Sequence, residues 1–220
     1  MNQTVINEIL KNKIIAIIRG IYGEDCRNLA QALYQGGIRL MEVTFDQAKE
    51  HTYADTQQAI RMIREQMNGK VLVGAGTVTS VELVELACQA GAQYIISPNT
   101  DVTVIRRTKE LGLVSIPGAL TPSEAQTAHM AGADFVKLFP TSQLGAGYIK
   151  AVRGPLNHIR LLAVGGVDQH NASSFLRAGA VGVGVGGNLA NREWVQAGRF
   201  DDITNLAREY VEAVQSGGQA

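Results

Sequence analysis

Lys137 is the residue around which chemistry can be arranged in this chain. It stands near the end of Ala133-Asp134-Phe135-Val136-Lys137-Leu138-Phe139-Pro140, a mostly apolar run of strand length. On the two-residue alternation of a strand, Phe135, Lys137 and Phe139 share one side, and Val136 and Leu138 share the other. A primary amine between two phenylalanines is costly to keep charged. Its pKa falls, and it becomes a candidate imine-forming nucleophile near neutral pH. The same stretch also fits a lysine whose head group passes the strand end into water and does nothing chemical.

Glu42 is the natural companion. It interrupts the apolar run Leu40-Met41-Glu42-Val43, where a solvated carboxylate would be out of place. An internal acid near an internal amine gives a proton carrier beside a nucleophile; the other reading is an ion pair tying two strands together. Arg19, closing Ile17-Ile18-Arg19, could hold a carboxylate or phosphate in a two-pronged grip, or be a surface arginine. Thr77, after Gly74-Ala75-Gly76, could donate its hydroxyl to a carboxylate or simply occupy a turn. Two glycine pairs, Gly165-Gly166 and Gly186-Gly187, expose backbone N–H groups suited to phosphate, and Asn188 adds a side-chain donor. Close packing of strands against loops is the alternative for the glycines. His51, His129, His158 and His170 fall in loops and helices, none at a strand end and none paired with another histidine at metal-ligand spacing. No metal is expected.

The elements that must position these groups alternate along the chain. Strand-like runs occupy 14–18, 38–43, 71–75, 93–96, 113–116, 135–138, 160–164 and 181–185. Helical spacing fills 24–34, 52–67, 81–90, 101–111, 147–152, 171–178 and 201–214, with amphipathic turns over 1–10. Thr121 and Pro122, strengthened by Glu124, open a further helix to about Met130. Ala-Gly or Gly-Gly recurs before strands at Gly36-Gly37, Ala90-Gly91, Ala131-Gly132 and Ala178-Gly179, marking helix ends. Repeated strand–helix units require a parallel sheet, and eight of them in 220 residues predict a single-domain (β/α)₈ barrel spanning 1–220 with an N-terminal helix. In such a barrel the strand C-termini carry the site, which is where Arg19, Glu42, Thr77, Lys137 and both glycine pairs fall. Trp194, Phe200 and Tyr210 read as packing or subunit-contact residues.

Bulk properties exclude several classes. Twenty basic and twenty acidic residues balance, which argues against a nucleic-acid or membrane-surface binder. Cys26 and Cys88, without a CxxC spacing, suit a reducing compartment. With neither a signal peptide nor an apolar stretch of membrane-spanning length, the expectation is a cytoplasmic protein.

Six colinear segments carry a family resemblance: Glu42-Val43-Thr44-Phe45, Gly74-Ala75-Gly76-Thr77-Val78, Ile96-Ser97-Pro98-Asn99, Pro117-Gly118, Val136-Lys137-Leu138-Phe139-Pro140 and Val164-Gly165-Gly166-Val167. Together they resemble the 2-keto-3-deoxy-6-phosphogluconate aldolases and their 4-hydroxy-2-oxoglutarate and 6-phosphogalactonate relatives, over about residues 14–189. The resemblance implies a Schiff-base aldolase on a (β/α)₈ barrel, a homotrimer working on a small 2-keto acid without a metal or other cofactor. It implies Lys137 as imine former, Glu42 as general acid/base, and Thr77 at the pyruvyl carboxylate. Pro98 and Phe139 would line the pocket, and Gly165, Gly166, Gly186, Gly187 and Asn188 would hold phosphate. Two departures stand out: Asp46 occupies a strand-two-loop position where many members have arginine, and Asn188 replaces a common serine. Members with an arginine ending strand one instead match Arg19. Two competing expectations remain, a phosphate-binding barrel isomerase or epimerase and a catalytically silent sugar-acid binding protein.

Overall fold

The computed structural model of the chain describes residues 2–67 and 69–217. Its parallel strands are β1 Ile14–Ile18, β2 Leu40–Thr44, β3 Leu72–Gly76, β4 Tyr94–Ile96, β5 Val114–Ile116, β6 Gly118–Ala119, β7 Val136–Leu138, β8 Leu161–Val164 and β9 Gly182–Val185. They lie side by side in the order β5-β4-β3-β2-β1-β9-β8-β7-β6. The two ends of that order, β5 and β6, are separated along the chain by Pro117 alone. Proline has no N–H to give a ladder, so the strand breaks there. β5 pairs with β4, β6 pairs with β7, and the Pro117 carbonyl accepts from Lys137 N at 2.8 Å. The eight expected strands are therefore present, the fifth in two pieces, and they curl into a barrel.

Helices α1 Asn2–Asn12, α2 Gly23–Gln35, α3 Tyr53–Met67, α4 Val81–Gln89, α5 Val102–Glu110, α6 Pro122–Met130, α7 Gly145–Arg153, α8 Ala172–Arg177, α9 Arg192–Gln196 and α10 Phe200–Ser216 complete the chain. α6 starts where the sequence places it: Thr121 and Glu124 form a reciprocal capping box, with Pro122 in the first turn. The glycines expected at helix ends, Gly37, Gly91, Gly132 and Gly179, all take positive φ. Short α9 and two 3₁₀ turns, Glu50–Thr52 and Thr141–Gln143, lie beyond the expected elements.

Two cores follow from the strand alternation. Outward side chains such as Val43, Val136 and Leu138 pack under the helices. Inward ones, Ile15, Leu40, Tyr94, Val114, Phe135 and Leu162, meet Val5, Ile6 and Ile9 of α1. These inward residues cluster toward the N-terminal ends of their strands, so α1 stoppers the barrel there. One alternation further along, the interior turns polar, with Glu42 on β2 and Lys137 on β7. Among the described residues no helix is long and apolar enough to cross a membrane.

Candidate active site

Lys137 points inward, as the alternation with Phe135 requires. Only 6% of it is exposed, so the amine does not escape to bulk water. The Phe139 ring centroid lies 4.7 Å from Nζ. Burial is the main force lowering the Lys137 pKa; the charge of Arg19 lowers it further, and that of Glu42 opposes both.

Glu42 is 2% exposed, and its Oε2 has no hydrogen-bond partner in the protein. Burial raises its pKa, against the pull of Lys137 first and Arg19 second. No ion pair within 4.0 Å joins it to Lys137 among the described residues, so the two are electrostatic neighbours rather than a closed bridge. The carboxylate fits because its neighbour on β3 is Gly76: a Cβ there would sit 1.5 Å from Glu42 Oε1. Gly76→Ala is therefore expected to displace the carboxylate and cut turnover by about tenfold or more, with Lys137 still reactive. Steady-state kinetics paired with borohydride trapping checks this.

A cavity of about 650 Å³ opens above these groups. Its wall includes Lys137, Phe139, Arg19, both glycine pairs and Asn188, so the structure gathers most of the residues singled out in the sequence. Glu42, Thr77 and Pro98 are not on that wall. Thr77 takes φ 56° just after β3, and its carbonyl accepts from Gln47 Nε2 at 2.9 Å. Pro98 follows β4, and its carbonyl packs against Gly118. Both lie just past the C-terminal ends of their strands.

The glycine pairs form a cradle. Gly165 and Gly166 have φ of 96° and 73°, and a Cβ on Gly166 would lie 2.4 Å from the Ser142 side chain. Only glycine meets both demands. Thr141 Oγ1 reaches Val164 O and Gly165 O at 3.1 and 3.0 Å, and Asn171 Nδ2 donates to Gly166 O at 2.9 Å. Asn188 Nδ2 donates to Val167 O at 3.1 Å, joining the loop after β9 to the loop after β8. With the carbonyls so engaged, the N–H groups of Gly166, Val167, Gly187 and Asn188 donate to no protein acceptor among the described residues. Such an array suits an anion.

Sequence reasoning did not single out Tyr22, Lys49, Thr52 and Arg192, which also line the cavity. All four lie in or beside loops following β1, β2 and β9, and the strand-end rule, extended a few residues outward, would have reached them. His129 and His158 pack edge to face with ring centroids 4.9 Å apart, because the end of α6 abuts the segment after α7. Among the described residues no group of three or more histidine, cysteine, aspartate or glutamate side chains is arranged to hold a metal ion.

A parallel α/β barrel with an amine and an acid buried together at the strand C-termini has the groups that imine chemistry requires. Residues 5–206 match the family model "KDPG and KHG aldolase". The chain is 34% identical over 206 residues to the 2-dehydro-3-deoxy-6-phosphogalactonate aldolase of Escherichia coli K12, covering 93% of this chain and 98% of that one. A KDPG aldolase from Legionella pneumophila, solved with pyruvate captured as a covalent carbinolamine, superposes with TM-score 0.82 at 25% identity, covering 92% of this chain and 96% of that one. A designed cube-shaped cage, made by fusing symmetric oligomeric domains, superposes with TM-score 0.83 at 33% identity, covering 94% of this chain and 73% of that one. This chain belongs to the KDPG and KHG aldolase family.

Proposed function

We propose that residues 1–220 form one catalytic domain, a class I aldolase that cleaves a 2-keto-3-deoxy-6-phospho sugar acid reversibly to pyruvate and glyceraldehyde 3-phosphate. The observation that carries this is the buried Lys137 amine, its pKa lowered by burial, beside the buried acid Glu42. Neutral Lys137 Nζ attacks the C2 ketone, and loss of water from the carbinolamine gives an iminium. Ionised Glu42 then takes the proton of the C4 hydroxyl. The C3–C4 electron pair flows into the iminium, and the aldehyde leaves. Protonation of the enamine at C3, by the acid that Glu42 has become, and hydrolysis return pyruvate and the free amine. Arg19 and Thr77 serve the carboxylate end, Phe139 walls the pocket, and Gly165, Gly166, Gly186, Gly187 and Asn188 hold the phosphate. The four free N–H groups of the cradle favour this substrate over unphosphorylated 4-hydroxy-2-oxoglutarate.

The test is a retro-aldol assay against both substrates, with mass analysis of Lys137 after pyruvate and borohydride. Cleavage with a reduced pyruvyl adduct on Lys137 is expected; full activity with Lys137 unmodified overturns the assignment.

The same reading makes the protein a cytoplasmic homotrimer. Likeness to a domain in a cage of symmetric oligomeric domains supports assembly, as do the exposed apolar side chains Leu120 and Leu144. Sedimentation equilibrium at three times the protomer mass is the expected result.

A further inference from the structure

The cavity wall carries four basic side chains, Arg19, Lys49, Lys137 and Arg192, against one carboxylate, Asp46. Lys137 is assigned above as the nucleophile, and Lys49 has Asp46 3.9 Å away. Two guanidinium groups remain, and a phosphorylated 2-keto acid has two anionic ends. Arg19 belongs to the reacting end, because it directly follows β1, where Ile17 is in register with Glu42, and it lines the cavity with Lys137. Arg192 follows the Gly186-Gly187-Asn188 arm of the cradle by four residues and lines the same cavity.

Its placement is built rather than incidental. After β9, Leu189 N and Ala190 N both donate to Gly186 O at 2.9 Å, folding the chain into a tight turn. Leu189 and Ala190 are buried beneath it. Asn191 then caps α9 by accepting from Trp194 N at 3.0 Å, which sets Arg192 as the first helical residue. Arg192 thus lines the same cavity as Gly166, Gly187 and Asn188. Some arginines are committed, as Arg107 is to Glu85 and Glu110 and Arg199 to Asp202, and Arg61, Arg64, Arg106 and Arg177, uncommitted among the described residues, do not line this cavity. Among the described residues Arg192 forms neither an ion pair nor a side-chain hydrogen bond. An uncommitted guanidinium beside free N–H groups fits a phosphate monoester, with the N–H groups fixing its position and the planar fork taking two oxygens.

We propose that Arg192 sets the preference for a phosphorylated substrate, gripping the terminal phosphate across the cradle while Arg19 serves the carboxylate end. This rests on the aldolase reading above and adds the residue that discriminates between its two substrate classes. Arg192 comes from the segment after β9, four residues beyond Asn188, rather than from the strands that carry Lys137 and Glu42, so it acts on binding and its loss raises KM more than it lowers kcat.

The experiment measures kcat/KM of Arg192→Gln, Arg192→Lys and Lys49→Gln for a 2-keto-3-deoxy-6-phospho sugar acid and for 4-hydroxy-2-oxoglutarate. Lys49→Gln is the comparator, since it also removes one positive charge from the wall but not from the cradle side. Arg192→Gln is expected to lower the phosphorylated-to-unphosphorylated ratio by about tenfold or more, through KM, with weaker inhibition by inorganic phosphate. Arg192→Lys recovers part of the ratio. A fall of less than about tenfold, or an equal fall in Lys49→Gln, overturns the proposal, because general positive potential would then explain the preference. Failure of the unaltered protein to cleave either substrate or to trap an imine defeats the aldolase reading instead, a distinguishable result.

Discussion

Replacing Lys137 by methionine is expected to remove cleavage altogether, a fall on the order of 10⁴-fold or more in kcat, and to abolish borohydride trapping of pyruvate. Methionine keeps the length and apolar stem of the side chain, so the change deletes the nucleophile while filling nearly the same space. Folding should not suffer. Burial holds the Lys137 pKa below its unfolded value, so between the folded pKa and the usual lysine range the unfolded chain binds the extra proton. Stability is therefore lost as pH falls from the usual lysine range through the folded pKa, and the penalty is complete below that point. Glu42 works the other way: its raised pKa means stability is lost as pH rises through the folded value. A Lys137→Met/Glu42→Gln double variant removes both penalties. It should melt above the parent, with a gain of about 1–4 kcal/mol by calorimetry, as when a buried charged pair gives way to packed neutral groups. A double variant that melts below the parent would contradict the claim that the site is held at a cost to stability.

The second large effect is separable from the first. Glu42→Gln should lower kcat for cleavage by about 10²- to 10⁴-fold while Lys137 still forms an imine with pyruvate. The carboxylate is what holds the Lys137 pKa up against burial and Arg19. Without it the amine loses its proton more readily, so the acid limb of the trapping profile should move to lower pH. Trapping measured across pH in parent and variant decides it: an unmoved limb, or one moved upward, means that Glu42 and Lys137 do not sense one another.

What could be read from the sequence is whatever local periodicity controls. Lys137 and Glu42 were legible because each sits in a short apolar run, where alternation alone decides which way a side chain faces. The barrel was legible for the same reason, repeated down the chain, with the Thr121 capping box marking one boundary directly. The missed features depend on contacts between distant segments. Thr141 reaches the carbonyls after β8 only because a 3₁₀ turn places it there. Arg192 matters because two bonds to Gly186 O turn the chain back toward the cradle. His129 and His158 are 29 positions apart, and no local pattern predicts that their rings touch. The break at Pro117 was readable in principle from a missing N–H, yet it reads equally well as a strand end until the partners on either side are seen.

The stopper helix has a consequence for the reaction it never touches. Val5, Ile6 and Ile9 plug the end of the tube opposite the mouth and shut out solvent from below. Were that floor removed, water could climb the barrel axis toward Lys137 and restore an ordinary lysine's basicity, silencing the enzyme at neutral pH with every catalytic side chain still in place. The first eleven helical residues therefore act as insulation, and reactivity at one rim depends on dryness kept at the other.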